Sequence, residues 1–244
     1  MKVLVFGGTT DGRLLARELS ALGAQVTVSV ATALGAEELR GVPPLTVCVG
    51  RKDARQMREM LPGFAVCVDA THPYAAEASG NIRAACLAAG VPYRRLLRGA
   101  SALPPDSVVV PDAPAAARWL AGTQGNILLA TGAKELAAFA GLDAERLYPR
   151  VLPTVAGITA CEGAGIPHRN IIAMQGPFTL ELNLALMQQF HIRYLITKDG
   201  GSAGGFAEKA QAAAQSGAAL VVLRRPEECG ETAEEILQRC RELL

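Results

Sequence analysis

The sequence predicts an α/β fold with parallel sheets, and three observations predict it. Short apolar runs rich in valine and leucine alternate with longer alanine- and leucine-rich runs of helical period, the pattern that βαβ units and a buried parallel sheet produce. The first apolar run, Val3 to Phe6, passes through Gly7-Gly8 directly into a helical run. After a proline-rich stretch, the same order of strand, glycine turn and helix restarts at Leu129-Ala130-Thr131-Gly132.

In the first half, strands are expected at Val3 to Phe6, Gln25 to Val30, Leu45 to Val49, Ala65 to Asp69 and Tyr93 to Leu97. Helices should begin near Asp11, Asp53 and Pro73, each after a loop carrying Gly, Thr or Pro. Gly99 to Pro114 holds four of the fourteen prolines and little helical periodicity, so it reads as a linker or domain edge. Domains of 1–98 and 99–244 follow. In the second, strands are expected at Asn126 to Ala130, Leu147 to Val151, Ile171 to Met174, Tyr194 to Thr197 and Leu220 to Leu223, with helices after Gly132, Pro177, Gly205 and Glu231. Two similar sheets facing a shared cleft are the simplest architecture for this order. A chain of 244 residues is long enough for two compact domains, one large α/β domain being the alternative.

Composition narrows the function classes. Half of the residues are hydrophobic and 19% are charged, which suits helices packed closely on buried strands and excludes a disordered chain. The formal charge is +1, from 24 basic and 23 acidic residues, so no global field recruits nucleic acid or an anionic membrane. An anionic ligand must therefore be met locally. The six cysteines are scattered without a Cys-x-x-Cys pair, as expected of reduced thiols packed as small apolar groups. His72, His168 and His191 lack metal-ligand spacing among themselves or with the cysteines, so no metal site is expected. The apolar run at the amino terminus is too short for a signal peptide. No segment reaches the roughly 18 uninterrupted apolar residues of a membrane helix, and a cytoplasmic location is expected.

The turn Gly7-Gly8-Thr9-Thr10-Asp11-Gly12-Arg13 is the first candidate site. A dinucleotide pyrophosphate needs backbone N–H groups at a helix start that approach it without an intervening Cβ. Gly7 and Gly12 have the outer spacing of Gly-x-Gly-x-x-Gly, with Thr9 in place of the middle glycine, and the hydroxyls of Thr9 and Thr10 are candidates to donate to phosphate. A tight turn with no ligand is the alternative. The same glycine spacing fits a P-loop, but that motif continues with Lys and Ser or Thr, whereas Arg13 and Leu14 stand here, and leucine cannot ligate magnesium. The second strand ends without an acidic residue, in Val28-Ser29-Val30. That removes a carboxylate that would repel a 2′-phosphate and favours NADPH over NADH.

Two further strand ends carry polar residues, where ligands of open α/β sheets bind. One is Asp69-Ala70-Thr71-His72-Pro73-Tyr74, for which Thr71 or His72 as a helix cap, with Pro73 in the first turn, is the alternative. The other is Thr197-Lys198-Asp199-Gly200-Gly201, a cation and a carboxylate entering a glycine-rich loop. Tyr194 and Lys198 match the Tyr-x-x-x-Lys of short-chain dehydrogenases, but that pairing needs a helix, where four residues span about 6 Å. In a strand they span roughly 13 Å and cannot cooperate.

Taken together, the blocks Gly7 to Arg13, Asp69 to Ala75, Thr131-Gly132-Ala133-Lys134, Arg150-Val151-Leu152-Pro153, Gln175-Gly176-Pro177-Phe178, Thr197 to Gly201 and Arg224-Arg225-Pro226 fall in order along nearly the whole chain. In these blocks the sequence resembles the precorrin-6A reductases, the cobalt-precorrin-6A form included. The resemblance implies two Rossmann-like domains with an inter-domain cleft, NADPH or NADH as cofactor, and hydride delivery to C19 of a polycarboxylate tetrapyrrole with protonation at C18. It also implies other enzymes of the cobalamin pathway as partners. Gly200-Gly201 departs from many relatives, in which a serine follows the aspartate. Tyr74 stands where phenylalanine is common, which argues against its phenol as an essential acid.

On this reading Lys198, Asp199 and His72 are the catalytic candidates. Cofactor contacts are expected from Gly7, Gly8, Thr9, Thr10, Gly12, Arg13, Ser29, Thr71, His72, Lys198 and Gly200. Substrate contacts are expected from Tyr74, Arg94, Arg95, Arg98, Gln175 and Arg224, because arginine clamps carboxylates bidentately; Arg150 and Arg225 also end strands. A different NAD(P)-dependent oxidoreductase acting on a small neutral substrate would not need these arginines. A dinucleotide-sensing module would leave Lys198 and Asp199 without a chemical task.

Overall fold

The structure is a computed structural model that describes residues 1–39, 41, 45–97, 99, 101–201 and 204–244. Arg98, expected to bind substrate, lies outside them. The chain divides into two compact units, Met1–Arg98 with Pro226–Leu244 and Gly99–Arg225.

In the first unit, β1 (Lys2–Phe6), β2 (Gln25–Val30), β3 (Leu45–Val49), β4 (Val66–Asp69) and β5 (Tyr93–Arg95) form one sheet in the order β3-β2-β1-β4-β5. Every pairing is parallel. The connections are α1 (Thr10–Ala21), α2 (Ala33–Glu37), α3 (Ala54–Met60) and α4 (Ala76–Ala89). Side chains alternate along a strand, so β1 sends Val3 and Val5 into one core with Leu15 and Leu19 of α1, and Leu4 and Phe6 into another with Met57 of α3 and Ile82 of α4. A strand buried on both faces needs an unbroken apolar run, which is what Val3 to Phe6 supplies.

The second unit contains β6 (Val108–Val110), β7 (Asn126–Ala130), β8 (Leu147–Val151), β9 (Ile172–Ala173), β10 (Ile192–Lys198) and β11 (Ala219–Leu223), in the order β6-β11-β10-β7-β8-β9. Its pairings are also all parallel. Helices α5 (Ala113–Ala121), α6 (Val155–Gly163), α7 (Leu180–Gln189) and α8 (Phe206–Ser216) surround it, and a 3-10 helix, Ala133–Phe139, follows β7. Without β6, the order β9-β8-β7-β10-β11 repeats β3-β2-β1-β4-β5 position for position. Each sheet therefore has a point where the strand order reverses, at β1/β4 and at β7/β10, and such points are where doubly wound sheets bind ligands.

The last helix, α9 (Ala233–Arg241), returns to the first unit, whereas the order of the chain suggested that everything beyond Gly99 belongs to the second. Its apolar face is buried in the first core. Ile236 and Cys240 are buried in the core that holds Val3, Val5 and Leu15, and burying one isoleucine contributes roughly 1.5–3 kcal/mol. A capping box between Thr232 and Glu235 starts the helix.

Other differences have local causes. The proline-rich stretch contains a strand and the start of a helix: β6 is an edge strand of three valines, too short for a period to show, and Pro114 sits in the first turn of α5, where its missing N–H costs nothing. The helix expected near Pro73 begins later, at Ala76, and its cap position, Ala75, has no side-chain hydrogen bond, so neither Thr71 nor His72 caps it. Tyr194 and Lys198 both lie in β10, which rules out the helical Tyr-x-x-x-Lys arrangement.

Candidate active site

At the carboxyl edge of the first sheet the three glycines of the turn have different tasks. Gly7 donates its N–H to Ser29 O at 2.9 Å, and a Cβ there would meet Val28 Cγ1 at 3.0 Å. Gly12 packs α1 against the end of β4, because a Cβ would come within 2.8 Å of Ala70 Cβ. Gly8 has φ +108, and nothing lies within 4 Å of where its Cβ would be. A backbone held in a glycine-only conformation beside open space is a cradle that any side chain would fill.

Thr9 is the N-cap of α1: its Oγ1 accepts from Gly12 N at 3.1 Å and donates to Ala70 O at 2.9 Å. Its hydroxyl proton is thus committed to the fold rather than to phosphate, which corrects the expectation for Thr9. Thr10 opens the helix. Arg13 Nη1 lies 3.2 Å from Glu38 Oε2 and is partly exposed. Ser29, near the end of β2, is buried and pairs with Phe6 on one side and Cys48 on the other.

The end of β4 is organised by Asp69, which is fully buried. Its Oδ1 accepts from Thr71 N at 3.0 Å, Thr71 Oγ1 at 2.7 Å and Arg95 Nη1 at 2.8 Å, while Oδ2 accepts from the Tyr93 hydroxyl at 2.9 Å. Burial, and then the Asp69 carboxylate, push the Tyr93 phenol up. Arg95 continues the chain of contacts by donating from Nη2 to Glu228 Oε1 at 2.6 Å. These bonds fix the backbone of Thr71 and the course of the loop to His72, whose Nδ1 accepts from Tyr74 N at 3.4 Å and whose ring lies 5.5 Å from that of Tyr74. Arg95 was expected to hold substrate, yet it is 5% exposed and engaged by two carboxylates, so its task is internal. Arg94 remains one-third exposed and pairs with Glu231 at 3.3 Å.

In the second unit, Lys198 ends β10 with its Nζ 2.7 Å from Glu135 Oε1 on the 3-10 helix after β7. Asp199 is buried, and its carboxylate accepts from Gly201 N at 3.0 Å and Ser101 N at 3.2 Å, so it shapes the loop by bonding backbone. Gly200 donates its N–H to Lys198 O at 3.1 Å. Gln175 and Arg224 are exposed, and Arg224 N donates to Val110 O at 2.7 Å.

The expected site residues among those described thus fall into two sets, one at the carboxyl edge of each sheet. A depression lined by Lys2, Gly23, Gln25, Thr46 and Phe64 lies at the opposite, amino edge of the first sheet, where doubly wound folds do not place their chemistry. Among the described residues no group of His, Cys, Asp and Glu is arranged to hold a metal ion, and no helix is long and apolar enough to cross a membrane.

A family model described as precorrin-6x reductase CbiJ/CobK matches residues 2–241. The chain belongs to this family. It is 35% identical over 231 residues to the cobalt-precorrin-6A reductase of Priestia megaterium, covering 92% of this chain and 90% of the relative. With the cobalt-precorrin-6A reductase of Salmonella typhimurium it shares 37% identity over 230 residues, 92% of this chain and 87% of the relative. A solved structure of CobK precorrin-6A reductase superposes with a TM-score of 0.80 at 26% identity, covering 99% of this chain and 97% of that one. Membership makes the chain an oxidoreductase of the precorrin-6A reductase type in cobalamin biosynthesis, and the likeness extends to both α/β units.

A reductase family suggests a nicotinamide cofactor, and the turn after β1 leaves room for its pyrophosphate. The open face at Gly8 lies on the turn that leaves the central strand at its order-reversal point. Sequence reasoning missed the contributions of Asp69, Tyr93 and Glu228 to this edge. For Asp69 a signal was present, since an acidic residue ending an otherwise apolar buried strand needs a partner. For Glu228 there was none, because its partner Arg95 lies 133 positions away.

Proposed function

We propose that the chain catalyses the NADPH-dependent reduction of precorrin-6A or its cobalt complex, with hydride reaching C19 of the macrocycle and a proton reaching C18. The observation that carries the cofactor assignment is the cradle at Gly8, left-handed and open, at the point where the order β3-β2-β1-β4-β5 reverses. The bound nicotinamide supplies the hydride. Gly7, Gly8 and the first turn of α1 receive the pyrophosphate, and Thr71 and His72, held by Asp69, border the same edge. NADPH is favoured over NADH by the absence of an acidic side chain at the end of β2. Arg94 and Arg224 are the exposed cations assigned to substrate carboxylates, and Lys198 is assigned to chemistry. The cysteines are all free thiols, which suits a cytoplasmic enzyme.

Incubation with NADPH and precorrin-6A, in metal-free and cobalt forms, tests the proposal. Loss of reduced-cofactor absorbance together with a change in the pigment spectrum is the expected result. Cofactor binding without turnover on either macrocycle would point instead to a sensing module. Turnover that is insensitive to salt and confined to small neutral substrates would point to a different oxidoreductase.

A further inference from the structure

The carboxyl edge of the second sheet contains two buried cations that the proposed function leaves without a task. Arg150, the fourth residue of β8, is 8% exposed. Its Nη1 donates to Asn183 Oδ1 at 2.8 Å, and its guanidinium lies 4.2 Å from the centre of the Phe178 ring. Both partners are neutral, and among the described residues no carboxylate pairs with it. Lys209 of α8 is equally buried and donates to Gly204 O at 3.1 Å.

Arg150 and Lys209 sit at one sheet edge: a Cβ on Gly205, the cap of α8 one turn before Lys209, would lie 3.9 Å from the backbone N of Phe178, whose ring carries the Arg150 guanidinium. In β7, Leu129 pairs with Pro149 of β8, and the next step of the register brings Ala130 level with Arg150. Arg150 is therefore the neighbour of the last residue of β7, as Ser29 is the neighbour of Phe6, the last residue of β1. Arg150 thus takes, in the second sheet, the position beside the order-reversal point that a doubly wound fold uses to meet polar groups of its ligand.

The electrostatics do not suit a purely structural role. Two like charges share one desolvated region: burial and the nearby Arg150 push the Lys209 ammonium down to about 8, with Glu208 and Asp199 opposing them. Burial alone pushes Arg150 down to about 10. Apolar side chains of similar size would fill the same volume without this penalty. An anion would offset both charges.

We infer that Arg150 and Lys209 form an oxyanion site within the second unit, taking one carboxylate or phosphate group of a bound ligand. Phe178 and Asn183 hold the guanidinium plane, leaving its remaining N–H groups to donate in parallel to two oxygens of the guest, with the Lys209 ammonium as the second cation beside them. The site deepens the reductase reading by naming where an anionic group is held, and its test stands if that reading fails.

The test is trace acetylation of the full-length protein at pH 8, with labelling of Lys209 measured by peptide mass spectrometry against Lys2 and Lys52. Inorganic phosphate, NADP+ and uroporphyrin, a stable polycarboxylate tetrapyrrole, are added in turn, with NADP+ binding verified by calorimetry. The expected result is that at least one slows Lys209 labelling threefold or more relative to the reference lysines, and that Arg150→Gln abolishes the protection. Protection by phosphate and NADP+ identifies a phosphate as the guest, and protection by the porphyrin identifies a carboxylate. If Arg150→Gln does not fold, the wild-type measurement decides. Unchanged Lys209 labelling with all three ligands overturns the inference, whether or not the protein reduces precorrin-6A.

Discussion

Asp69 and Arg95 are register partners on β4 and β5, and their side chains meet at 2.8 Å with both groups buried. Neighbouring strand ends rarely carry opposite charges away from water, and here the pair is stabilised by the hydrogen bonds around it: Thr71 and Tyr93 satisfy the carboxylate, and Glu228 takes the other side of the guanidinium. Removing Asp69 takes away the fully buried counter-charge of Arg95 and leaves the Tyr93 hydroxyl without its acceptor. Asp69→Ala should destabilise the first unit by about 3–5 kcal/mol, read as a lower urea midpoint. Glu228→Gln should cost less, because Asp69 still faces the arginine. Equal, sub-kilocalorie effects would show that the network contributes little.

How much of this was legible in the sequence depends on how local each interaction is. Strand β1, the glycine turn and α1 are contiguous, so alternation, turn chemistry and cap all lie within one short window, while the packing of Gly12 against Ala70, which a Cβ would meet at 2.8 Å, spans distant positions and is not local. The strand β6 and helix α5 were hidden because prolines that punctuate a linker also occupy helix first turns and strand flanks. Arg95 was misassigned because a run of arginines at a strand end looks alike whether it faces a ligand or a carboxylate brought from the far end of the chain. The return of α9 to the first unit has no local signal, since its amphipathic face would suit either core.

Gly8 and Gly23 separate backbone strain from ligand contact. Both have positive φ, +108 and +93, and open space at the Cβ position, but Gly23 follows α1 at the amino edge of the sheet. Alanine at either position should cost roughly 1–3 kcal/mol of stability through strain. Only Gly8→Ala should weaken NADPH binding, by tenfold or more in calorimetry. Equal affinities in the two variants would remove the turn from the cofactor site.

Lys209 makes a prediction about pH. Its ammonium is pushed down to about 8 in the folded state from an ordinary value of 10.5. Below pH 8 both states hold the proton, and the folded state bears the full desolvation penalty. Between about 8 and 10.5 the unfolded chain binds a proton that the folded protein has lost, so stability rises with pH, by on the order of 3 kcal/mol across the window. Lys209→Met should raise the midpoint of unfolding at pH 7 and flatten this rise. A variant with the same pH slope as the wild type would assign the rise to other groups.

Lys198 is the side chain on which turnover should depend most. It ends β10 beside the order-reversal point of the second sheet and is mostly buried, with Glu135 Oε1 at 2.7 Å from its ammonium. A purely structural reading is available, in which the pair pins the 3-10 helix after β7 to the end of β10. The two roles differ in what each partner's removal does. If the pair only pins the helix, Lys198→Met and Glu135→Gln should lower stability alike and leave kcat near normal. If the cation stabilises charge that develops as hydride moves, Lys198→Met should lower kcat on the order of a hundredfold at saturating NADPH, whereas Glu135→Gln, which keeps the cation and removes its counter-charge, should leave most of the turnover. Met keeps the length of the chain and deletes only the charge, so a matching loss of kcat and kcat/KM would mark an interaction made in the transition state. Near-normal turnover by Lys198→Met would falsify the catalytic role and leave the ion pair with Glu135 as its whole function.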